Sequence, residues 1–182
     1  MSYTEVPFGG QTPKGPDALP WDADRQVVVP QVDFAISGYI DRLDLSETRD
    51  RARVIDYKSG KLPSDDGALR GGRELQRCLY AFAVRALLGR DIAIDAALLF
   101  PKAETSRHLD DPQAVLGDLT VYLLAARDNL RGGRALIGPD NGGDYDDFAF
   151  ALPANAANSY VRRKSAAVAA ALGDAATVWD AA

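Results

Sequence analysis

Three polar residues set in two short apolar stretches define the chemistry open to this chain. Asp41 interrupts the run Gly38-Tyr39-Ile40-Asp41-Arg42-Leu43-Asp44, and Asp56 and Lys58 lie in Val54-Ile55-Asp56-Tyr57-Lys58-Ser59-Gly60. A carboxylate on each of two paired strands, with an amine beside one of them, suits a hard cation and a water molecule acting on a phosphate. Mg²⁺ takes oxygen ligands at about 2.0–2.1 Å and keeps several waters, so two carboxylates and a main-chain carbonyl are a sufficient anchor. A lysine within reach can orient or help deprotonate such a water and offset charge developing on a phosphoryl oxygen. Taken singly, either aspartate reads as a solvated hairpin residue with Lys58 as its ion-pair partner. The joint pattern, with Gly38 before the first aspartate and Gly60 after the lysine, favours a site.

These residues need a rigid support. In both stretches β-branched and aromatic residues alternate with others at period two, and Ser46 to Arg51 between them has turn chemistry, which predicts a β-hairpin. Residues two apart on a strand share a face, so Asp56 and Lys58 project together while Ile55 and Tyr57 project the other way. From Arg73 the period becomes helical. Leu75, Leu79, Phe82, Ala86 and Leu87 predict a core-facing stripe that Gly89 terminates. Gln76 and Tyr80, four apart, share the adjoining face, where the amide can reach a phosphate or position Lys58 and the ring can stack on a base.

Further strands are expected over Tyr3 to Phe8, Gln26 to Val29, Val32 to Leu45, Asp91 to Phe100 and Ser106 to Leu109, with another over Phe148 to Leu152. Pro112 opens a helix that runs to Leu130. A last helix is expected over Asn158 to Trp179, capped by Asn155 or Asn158. Gln11 to Asp24 carries Pro13, Pro16 and Pro20 and reads as a linker, with Trp21 as its anchor to the core. Lys61 to Gly72, polar and glycine-rich, reads as a mobile segment where a substrate strand passes.

At 182 residues, with 47% hydrophobic and 26% charged residues, the chain fits one domain, 1–182, able to bury a substantial core. No apolar run reaches a membrane span, and the N-terminus lacks the basic and apolar regions of a signal peptide, so a soluble, cytoplasmic protein is expected. The single cysteine, Cys78, excludes an internal disulfide and any multi-cysteine metal or iron–sulfur site, and reads as a buried structural thiol. His108, the only histidine, lies far along the chain from the hairpin and reads as structural or exposed. A net charge of −5 argues against a general nucleic-acid binder. Even so, Arg42, Lys58, Lys61, Arg70, Arg73 and Arg77 cluster in or just after the hairpin, and together they make a local phosphate-facing patch. Arg42, Lys61, Arg73 and Arg77 are the candidate DNA contacts.

Gly38 to Asp44, then Val54 to Gly60, then Gln76-Arg77-Cys78-Leu79-Tyr80 closely resembles the nuclease domain of RecB-type proteins in the PD-(D/E)XK superfamily, nearest to the AddB-type subunits of bacterial helicase–nucleases. The likeness spans roughly Glu5 to Leu88. It implies an α/β (α+β) restriction-endonuclease-like core: a central mixed, largely antiparallel sheet flanked by helices, with core motifs at 33–88 and a C-terminal helical part at 111–182. It implies that Asp41 and Asp56 bind Mg²⁺ or Mn²⁺, that Tyr57 lends its carbonyl, that Lys58 serves the attacking water, and that Gln76 and Tyr80 border the site. Glu5, in Glu5-Val6-Pro7-Phe8, resembles the strand-borne glutamate that precedes the first metal aspartate in many relatives. The activity implied is DNA phosphodiester hydrolysis in recombinational repair, on a single strand or duplex end, alongside a helicase domain or partner subunit. A nuclease-fold module that is catalytically idle and binds DNA or a partner is the alternative. AddB-type domains close an iron–sulfur staple with a cysteine cluster after this region. Here 150–160 holds no cysteine, and no iron–sulfur cluster is expected. Relatives also place a helix before the first strand, so the chain is expected to be part of a larger protein.

Overall fold

The computed structural model describes residues 1–16, 18–89, 92–134 and 157–180. Its centre is a five-stranded sheet in the order β1 (Ser2–Phe8), β4 (Gly38–Leu45), β5 (Arg51–Tyr57), β6 (Ala93–Phe100), β7 (Thr105–His108). Only β5 and β6 run parallel, joined by a crossover containing helix α1 (Gln76–Leu88); the other neighbours are antiparallel. The sheet is thus mixed and flanked by helices, as expected. Helix α2 (Pro112–Arg131) packs on α1, and α3 (Ala157–Leu172) follows. The Asp111 side chain caps α2, accepting from the Ala114 amide at 3.1 Å, with Pro112 in the first turn, where its missing N–H costs nothing.

The run expected as one strand over Val32 to Leu45 is split at Ser37. β3 (Phe34–Ile36) pairs with β2 (Val27–Val29) in a separate ribbon, and β4 then enters the central sheet. Gly38 begins β4 against the buried Phe8 ring, from which a Cβ there would lie 3.3 Å. Trp21 anchors the proline-rich linker as expected, its indole N–H donating to the Pro7 carbonyl at 2.8 Å. The strand expected over Phe148 to Leu152 and the cap at Asn155 lie outside the described residues.

Helix α1 differs from its expected phase. Cys78, Ala81, Ala83, Val84 and Leu87 are buried, whereas Leu75, Leu79, Phe82 and Ala86 only flank the core. The helix is covered by β5 and β6 on one side and by α2 on the other, and its alanines allow both to approach closely. Burial pushes the Cys78 thiol up to about 12, fitting the structural role expected of it. No helix among the described residues is long and apolar enough to cross a membrane.

Candidate active site

The site forms where β4 parts from β5 and skips one pairing with β1. β4 and β5 pair from Leu45↔Ala52 to Arg42↔Ile55, and one step further the same register sets Asp41 across from Asp56. On the other side β1 pairs with every β4 residue from Gly38 to Asp44 except Asp41, whose opposite number is Glu5. Glu5 has φ +50°, a left-handed conformation that no regular strand ladder accommodates. Such strain costs about 1–3 kcal/mol. Full burial of Val6, Ile40 and Leu43 around it, worth about 1.5–3 kcal/mol apiece, is enough to hold it in place.

Asp41 uses the gap. Its Oδ2 accepts the Tyr57 amide at 2.9 Å, satisfying a donor that no β4 backbone group faces in the register. The Lys58 amide turns the other way, to the Leu99 carbonyl on β6 at 2.8 Å. Since the N–H and C=O of one strand residue point to the same side, the Tyr57 carbonyl opens onto the gap that holds Asp41.

Asp56 is 4% exposed. Its burial comes first in raising its carboxyl above the usual range, and the charges of Asp41 and Glu74 push in the same direction against the opposing pull of Lys58. Lys58 Nζ lies 2.6 Å from Asp56 Oδ2, an ion pair that partners this buried oxygen. The ammonium also donates to Gln76 Oε1, and Gln76 Nε2 donates to the Tyr80 hydroxyl at 3.2 Å. Tyr80 is fixed in turn by Phe8, the rings meeting edge to face at 6.0 Å. Asp56, Lys58, Gln76 and Tyr80 therefore form one polar chain from β5 to α1, with Asp41 at its open end.

The expected basic patch is largely spent within the fold. Arg77, expected to face DNA, is 2% exposed: its guanidinium donates to the carbonyls of Gly67, Ala68 and His108, and it pairs with buried Glu74. Arg42 points away from Asp41 and shares both oxygens of Asp44 at 3.1 Å. Arg70 is bound to Asp65. Lys61 and Arg73 are exposed. The segment from Lys61 to Gly72, expected to be mobile, is tied down by Arg70, by Arg77 and by Arg107, which donates to the Pro63 and Asp65 carbonyls. His108 is engaged away from Asp41 and Asp56, its ring bonded to Asp95 and Ser106.

Two residues at the site were missed by sequence reasoning. Glu74 lies in the turn before α1, and its placement three residues before Arg77 was the only sign of a pair. Lys14, within the linker, donates to Glu5 Oε2 and sits 4.2 Å from the Tyr39 ring centroid. Nothing in its local sequence marks it.

Among the described residues no group of three His, Cys, Asp or Glu side chains is placed to hold a metal ion. The residues nevertheless fit a magnesium-like ion. Such an ion needs only one or two carboxylates from the protein, and the buried Asp56 carboxylate lies across the strand pair from Asp41 and within its field. A depression of about 600 Å³, lined by Asp44, Arg51, Arg53 and Asp95 among others, lies at the hairpin-turn end of β4 and β5 and shares no residue with this cluster. Residues 4–145 match the family model of the PD-(D/E)XK nuclease superfamily, a span that takes in every residue of the polar chain. No curated protein and no solved structure matches the chain.

Proposed function

Because the chain belongs to the PD-(D/E)XK nuclease superfamily, we propose that it hydrolyses DNA phosphodiester bonds with Mg²⁺ or Mn²⁺ held by Asp41, Asp56 and the Tyr57 carbonyl. The superfamily consists in the main of nucleases that use divalent ions. The observation that carries the reading is the buried Asp56 carboxylate, paired with Lys58 and set across from Asp41 by the register of β4 and β5. When bound, the ion supplies an acidified water and neutralises charge on the scissile phosphate.

The protein's own groups do the rest. Asp41 and Asp56 supply the negative charge, and burial of Asp56 keeps bulk water from competing for it. Lys58 orients the attacking water and offsets charge on the phosphoryl oxygens. Gln76, accepting from Lys58 and donating to Tyr80, is a positioning residue that aims the ammonium at the fork between the strands. Lys61 and Arg73, both exposed, are candidate contacts for the phosphate backbone, Arg73 while also engaged by a partner within the fold. The resemblance of the three motifs to RecB- and AddB-type domains supports an exonuclease role in a recombinational-repair helicase–nuclease, with a helicase domain or partner subunit delivering the strand.

The test is incubation of the purified chain with end-labelled single-stranded and duplex DNA at low salt, with Mg²⁺, with Mn²⁺ and with a chelator. Cleavage that requires the metal is expected. Equal DNA binding with and without metal, and no cleavage under any condition, contradicts the proposal and leaves an idle binding module.

A further inference from the structure

We propose that Arg70 and Arg107 form a binding site for a backbone phosphate of the DNA strand, close to the scissile one, and that the Asp65 carboxylate occupies this site until a strand displaces it. The site presupposes the DNA-cleaving reading above and adds to it the residues that grip the strand and an internal rival for their grip.

The sheet carries Arg107 towards the aspartates. Asp56 on β5 pairs with Leu98 on β6, and Leu98 pairs with Arg107 on β7, so the three share one row and one face of the sheet. Two inter-strand spacings put the Arg107 backbone about 10 Å from that of Asp56. The Arg107 guanidinium donates to the Pro63 carbonyl at 2.6 Å and to the Asp65 carbonyl, both in the segment that leads to α1. Arg70 meets the same aspartate through its side chain, Nε donating to Oδ1 at 2.6 Å and Nη2 to Oδ2 at 3.2 Å. Both arginines thus converge on Asp65.

Asp65 stands where a phosphate can stand. The planar fork of a guanidinium offers two N–H groups in a geometry that fits a carboxylate and a phosphate alike. Hydrogen bonding from Arg70 holds the Asp65 carboxyl below its usual range, so the group on the fork is an anion. Exposure divides the pair unequally: the Arg70 side chain is 18% exposed and that of Asp65 55%. The arginine is therefore set into the fold, and the carboxylate is the member open to water, where ion pairs are weak and readily exchanged. Arg107 spends its N–H groups on neutral carbonyls, which hold a guanidinium less strongly than a charged phosphate oxygen does.

The test is binding of a fluorescent single-stranded oligodeoxynucleotide, with chelator present to prevent cleavage, by the parent chain, Asp65→Ala, Arg70→Gln and the double variant across a salt series. Asp65→Ala is expected to tighten binding roughly fivefold or more. It should also steepen the fall of log K with log salt by about 0.7, the share of one further phosphate contact on a single strand. Neither change is expected once Arg70 is Gln. Asp66→Ala removes the same charge one residue away and is expected to leave the salt slope at the parent value. Unchanged affinity in Asp65→Ala overturns the site, as does a gain that persists without Arg70 or is matched by Asp66→Ala. Arg107→Gln in the Asp65→Ala background is expected to weaken binding, and undiminished affinity there overturns the pairing of the two arginines. Asp65→Asn, which keeps the side-chain shape, replaces Asp65→Ala if the latter does not fold. Metal-dependent cleavage by a chain whose DNA affinity is indifferent to Asp65 overturns the phosphate site alone. Tightening by Asp65→Ala in a chain that never cleaves supports the site and overturns the nuclease reading.

Discussion

Lys58→Ala is expected to lower metal-dependent DNA cleavage by about 10²–10⁴-fold while leaving Mg²⁺ binding in place. Both carboxylates survive the substitution, as does the Tyr57 carbonyl. What is lost is the ammonium paired with Asp56 Oδ2, together with the hydrogen bond that Gln76 Oε1 accepts from it. Lys58 opposes the rise of the Asp56 carboxyl, so its removal lets that carboxyl climb further and shifts the acid limb of the cleavage profile to higher pH. Calorimetry and single-turnover cleavage across pH separate these effects. A Lys58→Ala protein that cleaves like its parent at equal metal occupancy contradicts the mechanism.

Asp56→Asn is expected to have two large effects of opposite sign. Metal binding and cleavage collapse, because a neutral amide replaces the buried carboxylate. The metal-free fold, by contrast, gains stability at neutral pH. Burial first raises the Asp56 carboxyl above its ordinary 3.8. The folded chain therefore holds that proton more tightly than the unfolded chain, and it loses stability as pH rises from about the unfolded value through the raised one. Asparagine carries no charge to desolvate, so the gain over the parent is full at neutral pH and vanishes as pH falls through the Asp56 titration. Mg²⁺ at a hundred times its Kd stabilises the parent by about 2.7 kcal/mol and should leave the variant unmoved. Thermal melts with metal and with chelator, at neutral and acid pH, measure both effects. A variant destabilised at neutral pH, or one still stabilised by Mg²⁺, runs against this account.

The hairpin and the placement of its polar residues were legible because they are local. Period-two alternation placed β4 and β5, and residues of fixed spacing put Asp41, Asp56 and Lys58 at one end of the pair. The four-residue step from Gln76 to Tyr80 likewise survived into the structure as a hydrogen bond. What escaped was set by contacts distant in sequence. The phase of α1 depends on α2 covering its second side, which periodicity within α1 cannot show. Arg77 looked like its basic neighbours, but the carbonyls that bury it come from Gly67, Ala68 and His108, brought together only by folding. Lys14 meets Glu5 across a proline-rich linker with no periodicity to read. The strand break at Ser37 goes with β3 pairing to β2 in a separate ribbon, again a partner that periodicity within the run does not show.

The central claim is that Asp41, Asp56 and the Tyr57 carbonyl hold one divalent cation beside Lys58. Anomalous diffraction from crystals soaked in Mn²⁺ tests it directly. The account predicts a manganese peak at the fork between β4 and β5, about 2.0–2.2 Å from a carboxylate oxygen of each aspartate, distances typical of hard cations with oxygen ligands. Manganese bound elsewhere on the chain, or none at the fork at saturating concentration, would contradict it.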